Sequence, residues 1–318
     1  MHERRRGNCR PVTASPNFLD VFERLRTRLF GIAYRMLGDA HEAEDLVQEC
    51  WLRWQDADRD AIIAPEGWLV AVMTRLAIDR ARRAETDRLS YVGPWLPEPI
   101  AIGNDASTAS PDSKVELESE LSIAFLMLLE RLGPEERAAF LLRELFDTDY
   151  DEIARIIDRT PATVRQMVHR ARERVREDRA RFDVSPATHR RLLSRFLDAL
   201  HAGDQDALLS LFASDATFAS DGGGKASAAR RRVIGAERIA RMLVGFQKKG
   251  AGITTHRLTT LNGEPVIATF VGEKLYLVTA FATDGERILH IYRIVNPDKL
   301  PATGFPVLGP VPRRERHR

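Results

Sequence analysis

The segment 149–177 combines basic and amide side chains at a spacing suited to contacts with nucleic acid. Asp149 and Glu152 form a capping-box pattern, which predicts the start of a short helix. Thr160 followed by Pro161 predicts the start of a second helix after a tight turn. Two such helices, the second one basic, are typical of a helix-turn-helix, in which the second helix enters the major groove of DNA.

The second predicted helix has two faces of opposite character. Its apolar face comprises Val164, Val168, Ala171 and Val175. Its polar face comprises Arg165, Gln166, His169, Arg172 and Arg176. Arginine pairs bidentately with guanine and glutamine with adenine, so this face can contact base edges as well as phosphates. The alternative is an ordinary helical hairpin with a solvated charged face, but start signals, length and charge together favour DNA binding.

The overall composition excludes several classes of protein. The chain has 318 residues and a net charge of +2, so it can hold several domains and carries no global basic field. Cys9 and Cys50 have no spacing for a metal site or a disulfide framework, which favours a reduced, cytoplasmic setting. No apolar run approaches the roughly 20 residues of a membrane span, and no secretion signal is expected at the basic start.

The pattern of helices, strands and breaks divides the chain into six segments. They are a disordered leader 1–16, a helical block 17–89, a linker 90–113, a helical block 114–182, an α+β block 185–300 and a basic tail 301–318. In the α+β block, helices are expected over 188–201 and 204–211, and strands over 216–219, 265–270, 275–281 and 288–295. The fold class is therefore multidomain, with two all-α domains followed by an α+β domain.

Two amphipathic helices are predicted in the first helical block. Asp39 begins the first one, whose buried stripe comprises Ala43, Leu46, Val47, Cys50 and Trp54. Its acidic face comprises Glu42, Glu44, Asp45, Gln48 and Glu49. Pro65 and Glu66 open the second helix, which continues to Ala84 and is basic at its far end. An acidic face suits a protein partner and a basic helix end suits DNA, although solvated charged faces are the alternative.

Several parts of the sequence resemble a known family. The stretch YRMLGDAHEAEDLVQECW, 34–51, resembles the sigma-2 domain of bacterial extracytoplasmic-function (ECF) RNA polymerase sigma factors, and the helix-turn-helix resembles their sigma-4 domain. The linker motif YVGPWLPEP, 91–99, together with DGGGK, 221–225, and NPDKL, 296–300, resembles the subgroup that ends in a SnoaL-like domain. The resemblance implies a cone-shaped α+β fold for the third block, in which helices wrap a curved sheet.

The resemblance implies a sigma factor that binds core RNA polymerase and directs transcription initiation at promoters with −35 and −10 elements. The residues implied in polymerase binding are Asp45, Gln48, Glu49 and Trp51. The residues implied at the −10 element are the loop 56–67 with Asp79, Arg80 and Arg83. The residues implied at the −35 element are Thr163, Arg165, Gln166, His169 and Arg170.

The resemblance also implies regulation in cis by the third domain. The contact residues it implies are Tyr91, Pro94 and Trp95 in the linker, and Asp221, Gly222, Gly223, Gly224, Lys225, Asn296, Pro297, Asp298, Lys299 and Leu300 in the third domain. Apolar linker residues are costly to leave in water, so we expect the linker to pack on the third domain near DGGGK. Such packing would bring the two helical domains together in a chain that is monomeric when free and needs no separate anti-sigma protein.

Two other classes of function remain open from the sequence. One is a DNA-tethered enzyme, for which the polar candidates in the third domain are Asp215, Asp221, His256, Tyr276, His290 and Tyr292. No pair of them has a spacing that identifies catalysis, and the glycine run lacks the Lys-Ser/Thr pattern of a phosphate-binding loop. We therefore expect no enzymatic activity, no cofactor and no metal. The other alternative is a dimeric helix-turn-helix repressor that binds a palindrome without polymerase.

Overall fold

A computed structural model describes residues 18–58, 61–101, 121–179 and 184–307 of the chain. The expected leader 1–16, the linker beyond residue 101 and the tail beyond residue 307 lie outside the described residues, as does the side chain of Arg176. Three domains follow one another along the chain, two helical and one α+β, in agreement with the predicted fold class.

The first helical domain consists of three helices. They are α1 Phe18–Leu37, α2 Ala40–Asp56 and α3 Pro65–Arg88. Asp39 caps α2 by accepting a hydrogen bond from the backbone N–H of Glu42 at 3.0 Å, as predicted. The apolar stripe predicted for α2 is buried against α1 and α3. Burial of the stripe fixes the rotation of α2 and leaves its acidic side facing outward.

The second helical domain contains the helix-turn-helix. Its helices are α4 Ile123–Leu129, α5 Pro134–Glu144, α6 Tyr150–Ile157 and α7 Pro161–Arg179. Thr160 caps α7 by accepting a hydrogen bond from the Thr163 backbone N–H at 3.2 Å. The predicted capping box at Asp149 is wrong, because this side chain makes no capping hydrogen bond and only the Asp149 carbonyl accepts from the first turn of α6.

The third domain is a mixed sheet covered by helices. Its helices are α8 Pro186–Ala202, α9 Gln205–Ser210 and α10 Ala236–Gly250, and its strands are β1 Phe212–Asp221, β2 Val233–Ile234, β3 Thr254–Leu261, β4 Glu264–Val271, β5 Lys274–Thr283 and β6 Ile288–Ile294. The strand order is β2-β1-β6-β5-β4-β3, with β1 and β6 parallel and the other neighbours antiparallel. Helix α10 and edge strand β3 were absent from the sequence-based expectation.

The two faces of the sheet belong to different cores. Phe218 of β1 and Ile291 of β6 pack with α8, α9 and α10 in the core of the third domain. Their strand neighbours Ala219 and Tyr292 belong to a second core that continues through both helical domains. Successive side chains of a strand point to opposite faces, so β1 and β6 contribute to both cores at once.

The segment 301–307, which the sequence assigned to a basic tail, packs against the rest of the molecule. The carbonyl of Ala302 accepts a hydrogen bond from the backbone N–H of Ala101 at 2.9 Å. The backbone N–H of Leu275 in β5 donates to the carbonyl of Pro306 at 2.7 Å. These hydrogen bonds attach the last described part of the linker to the third domain.

Candidate promoter- and polymerase-binding surfaces and the domain junction

The outer face of α7 carries the residues predicted to contact the −35 element. Arg165, Gln166, His169 and Arg170 are exposed, whereas Thr163 is half-buried. The guanidinium of Arg165 lies 5.4 Å from the centroid of the Tyr150 ring, which restricts this side chain beside α6. The opposite stripe of α7 is fully buried, so the rotation of the helix is set by packing. The arrangement leaves a row of donors available to base edges.

Two arginines further along α7 are paired with acidic residues of α5. Arg172 Nη2 lies 2.6 Å from Glu144 Oε1, and Arg174 Nη1 lies 2.7 Å from Glu136 Oε2. Both guanidinium groups are about half exposed, and ion pairs at the surface contribute little to stability. Phosphate groups of DNA can therefore compete for Arg172 and Arg174.

The predicted polymerase-binding residues lie along the outer side of α2. Asp45 and Gln48 are exposed, and within the described residues Asp45 has no ion-pair partner. Glu49 is half-buried and pairs with Arg53, one turn further along the helix, at 2.8 Å. Trp51 is half-buried against α1. This side of α2 presents negative charge next to a large aromatic ring.

Three of the residues predicted at the −10 element, Asp79, Arg80 and Arg83, lie in the second half of α3. The predicted loop 56–67 runs from the end of α2 into the first turn of α3, and its residues 59–60 lie outside the described residues. Arg80 pairs with Glu42 of α2, and Asp79 pairs with Arg82 at 3.3 Å. Arg83 is exposed. In this packing, two of the three predicted side chains are therefore engaged with neighbours.

The two helical domains pack directly on each other. Arg75 of α3 donates from Nε to the carbonyl of Ile156 at 2.9 Å and from Nη2 to that of Arg155 at 3.0 Å. Buried Arg137 of α5 donates to the carbonyl of Met36 in α1 at 2.5 Å. Carbonyls in the last turn of a helix lack intrahelical partners, so each arginine satisfies acceptors that would otherwise need water. The contact between the domains is specific because these donors and acceptors match.

A buried carboxylate of the third domain holds the linker. Asp221 is fully buried, and its Oδ1 accepts hydrogen bonds from Tyr91 Oη at 2.6 Å and from the Gly223 backbone N–H at 3.1 Å. Its Oδ2 accepts from the Leu96 backbone N–H at 2.9 Å and from Lys299 Nζ at 2.8 Å. Burial, followed by the Asp221 carboxylate, raises the pKa of Tyr91, so this phenol stays protonated and donates. We call Asp221 and Lys299, with linker residues 91–96, the linker dock.

Trp95 is the residue of the linker dock that packs against the first helical domain. The guanidinium carbon of Arg88 lies 3.4 Å from the centroid of its ring, and Lys299 Nζ lies 4.2 Å from it. A Cβ on Gly38 would lie 2.7 Å from Cη2 of Trp95, and Gly38 also has a φ of +67°. Only glycine fits at this position, so the turn between α1 and α2 is shaped to receive the indole.

The glycine run 222–224 allows the third domain to approach the linker closely. A Cβ on Gly223, whose φ is +55°, would lie 2.3 Å from Nδ2 of Asn296. Lys225 and Asp298 form an exposed ion pair at the edge of this contact. The structure thus brings DGGGK, NPDKL and the linker motif together, and it leaves half-buried Pro94 and Pro297 and buried Leu300 within the same region.

Asn262 joins all three domains, although the sequence indicated only a turn at this position. It lies between β3 and β4, is buried and has a φ of +54°. Its Nδ2 donates to Tyr34 Oη of the first helical domain at 2.7 Å and to the Leu121 carbonyl at 3.0 Å. Its Oδ1 accepts from the Ile100 backbone N–H of the linker at 3.0 Å. The Asn-Gly pair signals a hairpin turn, but nothing local signals these distant partners.

Glu98 is a second residue that sequence reasoning did not single out. Its Oε2 accepts a hydrogen bond from the backbone N–H of Ala40 at 2.7 Å, in the first turn of α2. Burial raises the pKa of Glu98. The Glu98 carbonyl also accepts a hydrogen bond from Tyr34 Oη at 2.5 Å. The linker therefore contacts the start of the helix that carries the predicted polymerase-binding residues.

The polar candidates for catalysis do not converge on one site. His256 and Tyr276 line the cavity between the sheet and helices α8 and α10. Asp221 lies in the linker dock, and Asp215 is exposed. His290 Nδ1 is hydrogen-bonded to the Thr217 hydroxyl at 2.8 Å. Tyr292 belongs to the core that continues through both helical domains.

Among the residues that the structure describes, no helix has the length and apolar character needed to cross a membrane. In the same described ranges, no group of three or more His, Cys, Asp or Glu side chains is placed to hold a metal ion.

Comparison with known proteins assigns the helical domains. The family Sigma-70 region 2 matches residues 21–86, and the family Sigma-70, region 4 matches residues 122–175. The chain is 36% identical over 311 residues to the ECF RNA polymerase sigma factor SigJ of Mycobacterium tuberculosis, a match that covers 93% of this chain and 98% of the relative. It is 34% identical over 281 residues to the probable ECF RNA polymerase sigma factor SigI of the same species, covering 86% and 92% respectively.

The fold agrees with these matches along most of the chain. The crystal structure of M. tuberculosis SigJ superposes with a TM-score of 0.72 at 32% sequence identity and covers 90% of this chain and 99% of that one. Fold, helix-turn-helix and sequence identity together define a sigma factor with an appended α+β domain. The chain belongs to the ECF RNA polymerase sigma factors, and specifically to their SigJ type.

Proposed function

We propose that this sigma factor binds core RNA polymerase through the outer side of α2 and contacts promoter DNA through α3 and α7. We also propose that its third domain holds the two sigma domains in a compact state. The linker dock carries this proposal, because a buried carboxylate of the third domain accepts hydrogen bonds from two linker residues, Tyr91 and Leu96.

The compact state does not match the geometry of a promoter. Elements at −35 and −10 lie about 85 Å apart along B-form DNA, at 3.4 Å for each base pair. Two compact domains of this size in contact span only roughly 60 Å from end to end. Arg75 and Ile156 join the two sigma domains directly, at 2.9 Å. Simultaneous contact with both elements therefore requires the two sigma domains to separate.

Competition by core polymerase gives a physical route by which the two sigma domains can separate. The linker contacts the start of α2 through Glu98 and the third domain through Asp221, so it couples the predicted polymerase-binding helix to the third domain. A partner that binds only the separated state shifts the equilibrium in proportion to its differential affinity. Core polymerase bound along α2 acts as such a partner, and the third domain serves in place of a separate anti-sigma protein.

Charge reversal tests the polymerase-binding surface. We expect Asp45→Lys combined with Glu49→Lys to abolish binding to core polymerase and to leave the fold intact, because both side chains lie at the surface, where charges and ion pairs contribute little to stability. Glu237→Lys combined with Glu286→Lys is the matched control, since both glutamates are exposed in the third domain. The measurements are a pull-down with core polymerase and run-off transcription from promoter fragments of the chain's own genome. Equal retention of both double variants on core polymerase would exclude this surface.

A further inference from the structure

The third domain has a cavity of about 760 Å³, open to solvent on one side, on the face of the sheet opposite the linker dock. Strands β1, β3, β4, β5 and β6 form its floor, and helices α8 and α10 form its cover. Its volume falls in the range of pockets that take small molecules. Phe196, Leu243 and Ile267 are representative of its predominantly apolar wall.

The charged side chains that line this cavity are all basic. Arg293 of β6 and Lys249 at the end of α10 line it, and its lining contains no Asp or Glu within the described residues. Burial lowers the pKa of Arg293 to about 10, so its guanidinium remains charged at neutral pH. The cavity therefore presents positive charge from Arg293 and Lys249 among side chains that are otherwise uncharged.

Arg293 is half-buried in the cavity wall and has no anionic partner within the described residues. Its guanidinium carbon lies 4.9 Å from the centroid of the Phe246 ring. Within the described part of the chain it forms no ion pair, and its buried Nε has no hydrogen-bond partner. A guanidinium offers five N–H donors, and burying one without an anion is strongly unfavourable. If Arg293 had only a structural role, we would expect a carboxylate to form an ion pair with it here.

Neutral hydrogen-bonding groups surround Arg293. Ser220 of β1 and Thr279 of β5 are its neighbours across the sheet, and both line the cavity. Burial lowers the pKa of His256 to about 4, so this imidazole is neutral and does not compete for an anion. Its ring nitrogens are already hydrogen-bonded to Thr269 and Gln247, at 3.0 and 3.3 Å.

We propose that this cavity binds a small amphipathic carboxylate, with the carboxylate on the Arg293 guanidinium and the apolar body against α8 and α10. Arginine and carboxylate form two parallel N–H···O hydrogen bonds, which supplies the donors of Arg293 with acceptors and compensates its charge. The inference concerns the third domain alone and does not depend on which residues contact polymerase or promoter.

The location of the site places it back to back with the linker dock. Ser220 faces the cavity, whereas the next residue, Asp221, faces the linker. Val295 lines the cavity, and its backbone N–H donates to the Asp221 carbonyl at 2.8 Å. A ligand at Arg293 would thus contact the same two strands that position the Asp221 carboxylate.

The test compares an acid with its own amide on the full chain. The probes are 2-naphthoate against 2-naphthamide for a flat body, and octanoate against octanamide for a flexible one, measured by titration calorimetry. We expect at least one acid to bind about tenfold more tightly than its amide, the preference that a hydrogen-bonded charge supplies. If neither acid binds more tightly than its amide to the unmodified chain, the proposal is overturned.

Two variants assign the preference to Arg293. Arg293→Met should abolish the preference for the acid, while Arg287→Met, at an exposed site just before β6, should preserve it. Arg293→Met should also melt no lower than Arg287→Met, because it removes a half-buried charge that has no anionic partner in the described residues. If Arg293→Met keeps the preference for the acid, the assignment to Arg293 is overturned. A melting temperature several degrees below that of Arg287→Met would show that Arg293 has a structural role, and it would also overturn the assignment.

Discussion

Replacing Asp221 by Asn should separate the third domain from the linker. The side chain keeps its shape but loses the negative charge that faces Lys299 and one of the two acceptor oxygens that Tyr91 and Leu96 use. Lys299 is 8% exposed at its side chain, so the loss of Asp221 leaves a buried ammonium without a counter-charge in the docked state. Once the linker leaves, water can solvate that ammonium.

The size of the effect of Asp221→Asn follows from the burial of the ion pair between Asp221 and Lys299. Removing one partner of a buried ion pair costs about 3–5 kcal/mol. Lys299 keeps its hydrogen bond to the Leu96 carbonyl and its contact with the Trp95 ring, which favours the lower end of this range. A loss of about 3 kcal/mol lowers the docking equilibrium constant roughly 150-fold.

Small-angle scattering along a urea titration measures the effect. A compact chain of this length has a radius of gyration of about 20 Å, and separation of the domains raises it. Asp298→Asn is the matched control, because Asp298 is the neighbour of Lys299 in NPDKL but forms an exposed ion pair with Lys225. We expect Asp221→Asn to expand at a lower urea concentration than the control, which should follow the unmodified chain. Coincident expansion of the two variants would refute the account of the linker dock.

Three further predictions concern the junction and the DNA surface. Burial raises the pKa of Glu264 to about 7 despite a hydrogen bond from Ser122, so the compact state is most stable below the ordinary value near 4.5 and loses that stability as pH rises through 7. Glu264→Gln should therefore flatten the dependence of the melting temperature on pH between about pH 5 and pH 8, and an unchanged slope would contradict this. Asn262→Ala leaves three buried polar groups without their partner and should lower the free energy of unfolding by about 1–3 kcal/mol in a denaturant titration. An unchanged midpoint would contradict the role of Asn262 at the domain junction. Arg165→Ala should reduce discrimination at particular −35 positions by about 1–3 kcal/mol, and Arg174→Ala should weaken all sequences alike; binding to single-base variants separates the two outcomes.

Local periodicity predicted the elements that depend on their own residues. The buried stripe of α7 and the cap at Thr160 follow from apolar spacing and from start signals within one helix. Helix α10 also has an apolar stripe, formed by Ile239, Ala240, Leu243 and Val244, and counting its helical spacing would have found it. Strand β3 gives a weak signal, because TTHRLTTL has few apolar residues and lies at the edge of the sheet.

The domain junction could not be predicted from local pattern. Asn262 meets Tyr34 and Leu121 across separations of 228 and 141 residues, and a turn signal carries no information about such partners. The apolar content of the linker indicated a docking site but not its chemistry. The decisive groups are polar, namely the Asp221 carboxylate and the Lys299 ammonium, and burial of such groups shows only when the partner segments are brought together.

The polar character of the junction also explains how a compact sigma factor can open. Asp221, Lys299, Glu98 and Asn262 are buried and hydrogen-bonded in the packed chain, and water can satisfy each of them after separation. A typical intramolecular hydrogen bond contributes only about 0.5–1.5 kcal/mol net, because water replaces it. The junction also contains apolar residues, because the core on this face of the sheet continues through both helical domains, so separation exposes apolar surface as well. We propose that polymerase binding along α2 supplies the free energy that reverses this packing, in proportion to its preference for the separated state.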